Sequence, residues 1–156
     1  MRPERPSLSR DDRPEGDCAR FNTQLLPLQD RLYTLAVLLL GDAPGAAAAV
    51  DQACREAFSA GCPEEGAAFR EALFACLVRA CRARRPGALL SQPGGRGLDP
   101  GECLARLPFE LRAVVALVDR EGFSYAETAR ILRCGRRAVL QRLASARRAL
   151  IPMMGV

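Results

Sequence analysis

Residues Leu107–Leu150 read LPFELRAVVALVDREGFSYAETARILRCGRRAVLQRLASARRAL, and the spacing of their apolar, capping and basic residues specifies the fold of the second half of the chain. Ser124 and Glu127 have the spacing of a capping box, in which each residue satisfies a backbone N–H of the other at the start of a helix. Cys134-Gly135 then predicts a tight turn before a last helix over residues 136–150. The short helix after the capping box is expected to carry Ala126, Ala129 and Ile131 on its inner side. A short helix, a turn and a basic helix in this order predict a helix-turn-helix.

The last helix is expected to have an apolar side and a polar side. At about 100° per residue, Val139, Leu143 and Ala146 fall on one side of the helix. The opposite side carries residues that can form hydrogen bonds to purine edges or neutralise phosphates. The alternative interpretation is that this side is an arginine-rich surface that contacts only solvent. We predict DNA contacts from Arg136, Arg137, Gln141, Ser145 and Arg148, and phosphate contacts from Ser124, Tyr125 and Arg133.

The excess positive charge lies in the same part of the chain. Residues 102–156 contain ten Arg and five acidic residues. The rest of the chain is balanced, with five Arg against five acids in residues 1–21, seven against seven in 22–85, and one against one in 86–101. The formal net charge of +5 is therefore a local electrostatic signal, which indicates a polyanionic partner for the second half.

Composition argues against an enzyme and against a cofactor. The chain has no His, so the commonest general base and metal ligand is missing, and no metal-binding spacing or phosphate-binding glycine loop occurs. The seven Cys are odd in number and form no Cys-x-x-Cys motif. Together with a charged, proline-containing N-terminus, they favour a reducing cytoplasm, with a redox or zinc role for the thiols as the minor alternative.

The whole chain is expected to be all-α, with two helical modules joined by a linker rich in Pro and Gly. Residues 1–20 lack apolar periodicity, which predicts a mobile tail. Residues 21–85 are expected to form a small bundle of three helices, each with an apolar stripe of helical period. The first stripe runs from Leu25 to Leu39, the second helix covers Ala46–Ser59, and the third, over residues 67–84, has the stripe Phe69, Leu73, Cys76, Leu77 and Ala80. Half of residues 86–101 are Pro or Gly, which predicts a flexible linker, and residues 102–156 form the helix-turn-helix domain.

The second module resembles region four of the extracytoplasmic-function sigma factors of the sigma-70 family. The resemblance includes Leu107-Pro108, Glu121-Gly122, Ser124-Tyr125 and the Ala146–Leu150 ending. More weakly, Leu40-Gly41-Asp42 in the first module is similar to the opening of region two. The resemblance implies that region two binds core RNA polymerase and melts the −10 element, that region four reads the −35 element of promoter DNA, and that an anti-sigma factor is a possible further partner.

The sequence departs from the family in both modules. Ala46–Ala49 stands where the family has an acidic stretch that contacts polymerase, and Ala72 and Arg79 replace a Trp and an Asn in the closing helix of region two. In the recognition helix, Leu140 replaces a common Arg. These departures leave a second hypothesis open: a sigma-like regulator, or a mimic that binds an anti-sigma factor, that has lost polymerase binding.

Overall fold

The computed structural model of the chain describes residues 15–61, 65–84 and 99–155. Within these ranges every regular element is a helix, which confirms the all-α prediction. The first module contains α1 (Glu15–Leu25), a 3₁₀ turn (Leu26–Leu28), α2 (Gln29–Leu40), α3 (Ala43–Ser59) and α4 (Gly66–Arg84). The second contains α5 (Pro100–Ala105), α6 (Phe109–Val115) with a π-helical turn (Ala116–Arg120), α7 (Tyr125–Leu132) and α8 (Arg136–Met153).

Two expectations at the N-terminal end need correction. Residues 15–20 belong to α1, so the predicted tail does not reach residue 20, and residues 1–14 lie outside the described part. The ring of Phe21 in α1 packs edge-on against the rings of Phe58 and Phe69. This tertiary contact anchors α1 to the first module, and the periodicity of the sequence does not reveal it. The apolar stripe beginning at residue 25 is also not one helix, because a 3₁₀ turn containing Pro27 separates α1 from α2.

The core of the first module depends on small side chains in α3. Ala46, Ala49, Ala53 and Ala57 recur at helical spacing and are buried, so α3 approaches α2 and α4 closely. Gly41 ends α2 in the left-handed conformation, and the Asp42 carboxylate accepts from the backbone N–H of Gly45 to begin α3. The stripe expected on α4 is buried throughout: Phe69, Leu73, Cys76, Leu77 and Ala80.

The second module begins earlier than predicted, and its second helix ends in an irregular turn. Asp99 and Glu102 form a capping box at α5, so the last three residues of the predicted linker, 99–101, are part of this ordered start, while residues 85–98 lie outside the described part. Pro108 is the N-cap residue that precedes α6. The helix then widens, because the N–H of Glu121 donates to the Ala116 carbonyl, five residues back.

The two modules pack against each other. The Phe74 ring of α4 meets the Phe123 ring edge-on with centroids 5.2 Å apart, and the Arg70 guanidinium lies 4.2 Å from the Phe123 centroid. One continuous hydrophobic cluster includes buried residues of both modules. Since the two cores are joined in this arrangement, the division of the chain into two functional modules stays a prediction.

Candidate nucleic-acid interface

The helix-turn-helix is built from α7, a turn and α8. Gly122 takes the left-handed conformation with φ 75°, which frees the chain to turn into α7. The Ser124 hydroxyl accepts from the Glu127 N–H at 3.1 Å, while the Glu127 carboxylate accepts from the Ser124 N–H at 2.8 Å. The latter bond is the main reason that the pKa of Glu127 is lowered. The capping box expected from the sequence is therefore confirmed.

The turn between α7 and α8 differs in detail from the Cys134-Gly135 prediction. The residue in the left-handed region is Arg133, with φ 53°, and its N–H donates to the Arg130 carbonyl. Gly135 has an extended backbone and begins α8. Burial raises the pKa of the Cys76 thiol on α4, and the positive charges of Arg79 and Arg133 oppose this rise. The exposed Arg133 side chain is therefore close enough to the first module to act on one of its thiols.

The inner side of the helix-turn-helix corresponds closely to the predicted pattern. Val139, Leu143 and Ala146 of α8 are buried against α6 and α7. In α7, Ala129 and Ile131 are buried as expected, whereas Ala126 is exposed, which corrects its assignment to the inner side. Thr128, Ala129, Ile131 and Leu132 form the buried side instead.

The predicted DNA-contacting residues share the outer face of α8. Arg136, Arg137, Gln141 and Arg148 are exposed, and Ser145 is half-buried, with its hydroxyl accepting from Arg148 at 3.4 Å. In the described part of the chain, no carboxylate lies within ion-pair distance of Arg136 or Arg137. Their guanidinium groups can therefore meet an external anion or a base edge without first breaking an ion pair.

Two other arginines of α8 are already paired, a distinction that the sequence alone does not make. Arg142 lies 3.4 Å from the Glu110 carboxylate, which is also bound at 2.8 Å by Arg82 of α4. Arg147 lies 3.0 Å from Asp119. These two side chains hold α8 to the rest of the fold. Arg136, Arg137 and Arg148 remain as the arginines of α8 that have no carboxylate partner among the described residues.

A shallow pocket lies where α7 begins, beside the start of α8. It has a volume of about 350 Å³ and is lined by Phe123, Ser124, Tyr125, Ala126 and Arg136. It therefore brings together three of the predicted DNA-contacting residues, Ser124, Tyr125 and Arg136. The Ser124 oxygen accepts the capping bond, so its O–H can still donate, and the first N–H groups of α7 add a positive end of the helix dipole.

Among residues 15–61, 65–84 and 99–155, no cluster of three or more metal-ligating side chains is present. No helix within the described ranges has the length and apolarity needed to cross a membrane. Cys76, Cys81 and Cys103 are buried free thiols, Cys54 and Cys134 are half-buried, and Cys18 is exposed, while Cys62 lies outside the described part.

Comparison with known proteins agrees with this geometry. Residues 101–150 match the family described as "Sigma-70, region 4". The fold is similar to that of the sigma factor RpoE, solved in complex with the anti-sigma factor NepR from Bartonella quintana, with a TM-score of 0.68 and 22% sequence identity. This similarity covers 87% of the present chain and 97% of the other. No curated protein matches the chain.

Proposed function

We propose that the chain is a cytoplasmic RNA polymerase sigma factor of the extracytoplasmic-function type, because residues 101–150 match the sigma-70 region 4 family. It directs promoter-specific initiation, and α8 reads the −35 element. The observation that carries this proposal is the outer face of α8, where Arg136, Arg137 and Gln141 are exposed and the two arginines have no carboxylate partner among the described residues. These side chains match the major-groove acceptors of guanine and adenine.

The first module is proposed to bind core RNA polymerase and to open the −10 element. Support comes from the fold similarity to the sigma factor RpoE, which extends over most of both chains. Since that protein was solved with the anti-sigma factor NepR, we also propose an anti-sigma factor as a partner of this chain.

A second candidate function is a sigma-like regulator, or an anti-sigma-binding mimic, that does not bind polymerase. The first turns of α3 favour it. Ala46 and Ala49 are buried, but Ala47 and Ala48 are exposed at the surface where related sigma factors carry acidic side chains. A surface of methyl groups offers no charge to a basic partner, so an electrostatic contact with polymerase would be weakened here.

Pull-down of core RNA polymerase by the full chain separates the two functions. The sigma-factor proposal predicts that core polymerase is retained and that the complex initiates transcription from a promoter selected by the chain. An exposed acid on α3, in the variant Ala48→Glu, should then increase retention, while Ala83→Glu on the exposed side of α4 serves as the control. Retention of DNA without retention of polymerase by the unmodified chain would favour the second candidate.

A further inference from the structure

Leu140 is an exposed apolar side chain within the cationic outer face of α8. It is the fifth residue of the helix, 44% of its surface is accessible, and it does not belong to the hydrophobic cluster of the protein. Its neighbours on the helix surface are Arg136 and Arg137, one turn before it, and the exposed Ala144, one turn after it. The fold covers only a little more than half of this leucine, so the accessible remainder of its side chain is available to a bound partner.

Charge complementarity identifies the class of partner. Arg136 and Arg137 beside Leu140 have no acid partner among the described residues, and Gln141 follows it in the chain. The guanidinium and amide groups match a partner surface that presents phosphates and hydrogen-bond acceptors. The apolar side chain between them matches an isolated apolar group on the same surface. The major groove of duplex DNA has these properties, and its apolar group is the C5-methyl of thymine.

We infer that Leu140 is a specificity-determining residue that contacts a thymine methyl group within the recognised site. The inference rests on the proposed function, because it requires α8 to enter the major groove. The N-terminal residues of a recognition helix are those that reach base edges, and Leu140 is in the second turn of α8. Arg137 before it and Gln141 after it are suited to guanine and adenine, so the three side chains can discriminate adjacent base pairs.

Two exposed apolar residues, one near the end of α8 and one directly after it, provide an internal comparison. Ile151 is 54% exposed and Met154 48% exposed. At 1.5 Å per residue, Ile151 lies about 16 Å along the helix from Leu140, which is too far to contact the same base pair. If Leu140 belonged instead to a protein-docking stripe with these residues, its replacement would not change the response of DNA binding to a methyl group.

The test removes one methyl group at a time from the DNA. A binding site is first selected from random duplexes with the full chain, and each thymine in it is then replaced by deoxyuridine, which differs only in lacking the C5-methyl. We expect one replacement to weaken binding about threefold to fivefold, as for the loss of one buried methyl group. Leu140→Ala should weaken binding to the thymine duplex by at least as much and should abolish the difference between thymine and deoxyuridine.

Ile151→Ala is the matched control and should keep the full difference between the two duplexes. Equal binding of all deoxyuridine duplexes by the unmodified chain would overturn the inference while leaving the proposed function intact. So would an unchanged methyl effect in Leu140→Ala. Failure of the chain to enrich any duplex would instead contradict the proposed function, and the inference with it.

Discussion

The Arg31 guanidinium of α2 joins Glu121 at the end of the π-helical turn, 90 residues away in the chain. Arg31 Nε donates to Glu121 Oε2 at 2.8 Å, and its Nη2 donates to the Glu121 carbonyl at 3.2 Å. The Glu121 side chain is 3% exposed, whereas that of Arg31 is 40% exposed. A buried carboxylate of the second module is thus neutralised by the first module, which makes this pair a central contact in their mutual packing.

Loss of this contact should destabilise the packed arrangement. Arg31→Ala leaves a buried carboxylate without a charged partner, so we expect a loss of about 1–3 kcal/mol in the free energy of unfolding. This loss of stability is smaller than the loss expected on breaking a fully buried ion pair, because water reaches Arg31. Chemical denaturation measures the loss. Arg55→Ala, which removes an exposed i,i+4 pair with Asp51, should change stability by less than about 0.5 kcal/mol, and an equal effect of both variants would contradict this role for Arg31.

Arg137 should contribute to sequence discrimination. Arg137→Ala is expected to weaken binding to a selected duplex by about 1–3 kcal/mol while leaving binding to random DNA nearly unchanged, because a bidentate contact to guanine is lost. Fluorescence anisotropy with the two duplexes gives both affinities. Arg55→Ala, on the first module, is the control. If Arg137→Ala weakened binding to both duplexes equally, the side chain would be a phosphate contact.

Salt dependence should distinguish free arginines from paired ones on α8. Each phosphate contact contributes a slope of about −0.9 to the plot of log affinity against log salt concentration. If Arg136 contacts a phosphate, Arg136→Ala should reduce the magnitude of the slope by about 0.9. Arg147→Ala should have a smaller effect, because Arg147 is held by Asp119. Titrations between 50 and 300 mM salt test this, and identical slopes for both variants would contradict the assignment.

The stability of the protein should fall at alkaline pH because of a buried thiol. Burial raises the pKa of Cys81 to about 12, whereas an unfolded thiol ionises near a pKa of about 8.5. The stabilising contribution is therefore fully present below pH 8.5 and is lost as pH rises towards 12, since ionisation favours the unfolded chain. Between pH 8 and pH 10 the loss should be about 1–2 kcal/mol. In Cys81→Ala this part of the dependence should disappear, and an unchanged pH profile would contradict it.

The helix-turn-helix could be predicted from the sequence because its signals are local. The Ser124 capping box and the left-handed Gly122 depend on a few neighbouring residues, and the exposed face of α8 follows from helical period alone. The sequence could not predict which distant side chains pair, because this depends on how the helices pack. Examples are the pairing of Arg142 with Glu110 and the contact between Arg31 and Glu121. For the same reason the sequence does not separate the paired arginines of α8 from the free ones.

Local signals also failed where tertiary packing or backbone geometry decided the outcome. Pro27 divides an apolar stripe that periodicity alone treats as continuous. Residues 15–20 belong to α1 and not to a tail. The Phe21 ring of this helix packs on two aromatic rings, one from α3 and one from α4. The apolar pattern of the sequence does not predict the π-helical turn after α6. This turn nevertheless brings Glu121 into contact with Arg31.

The most direct measurement is selection from a random duplex library with the full chain and with the double variant Arg136→Ala/Arg137→Ala. We expect the unmodified chain to enrich one short motif and the double variant to lose that enrichment while remaining folded by circular dichroism. Enrichment of the same motif by both proteins, or of no motif by the unmodified chain, would contradict the claim that the outer face of α8 reads DNA.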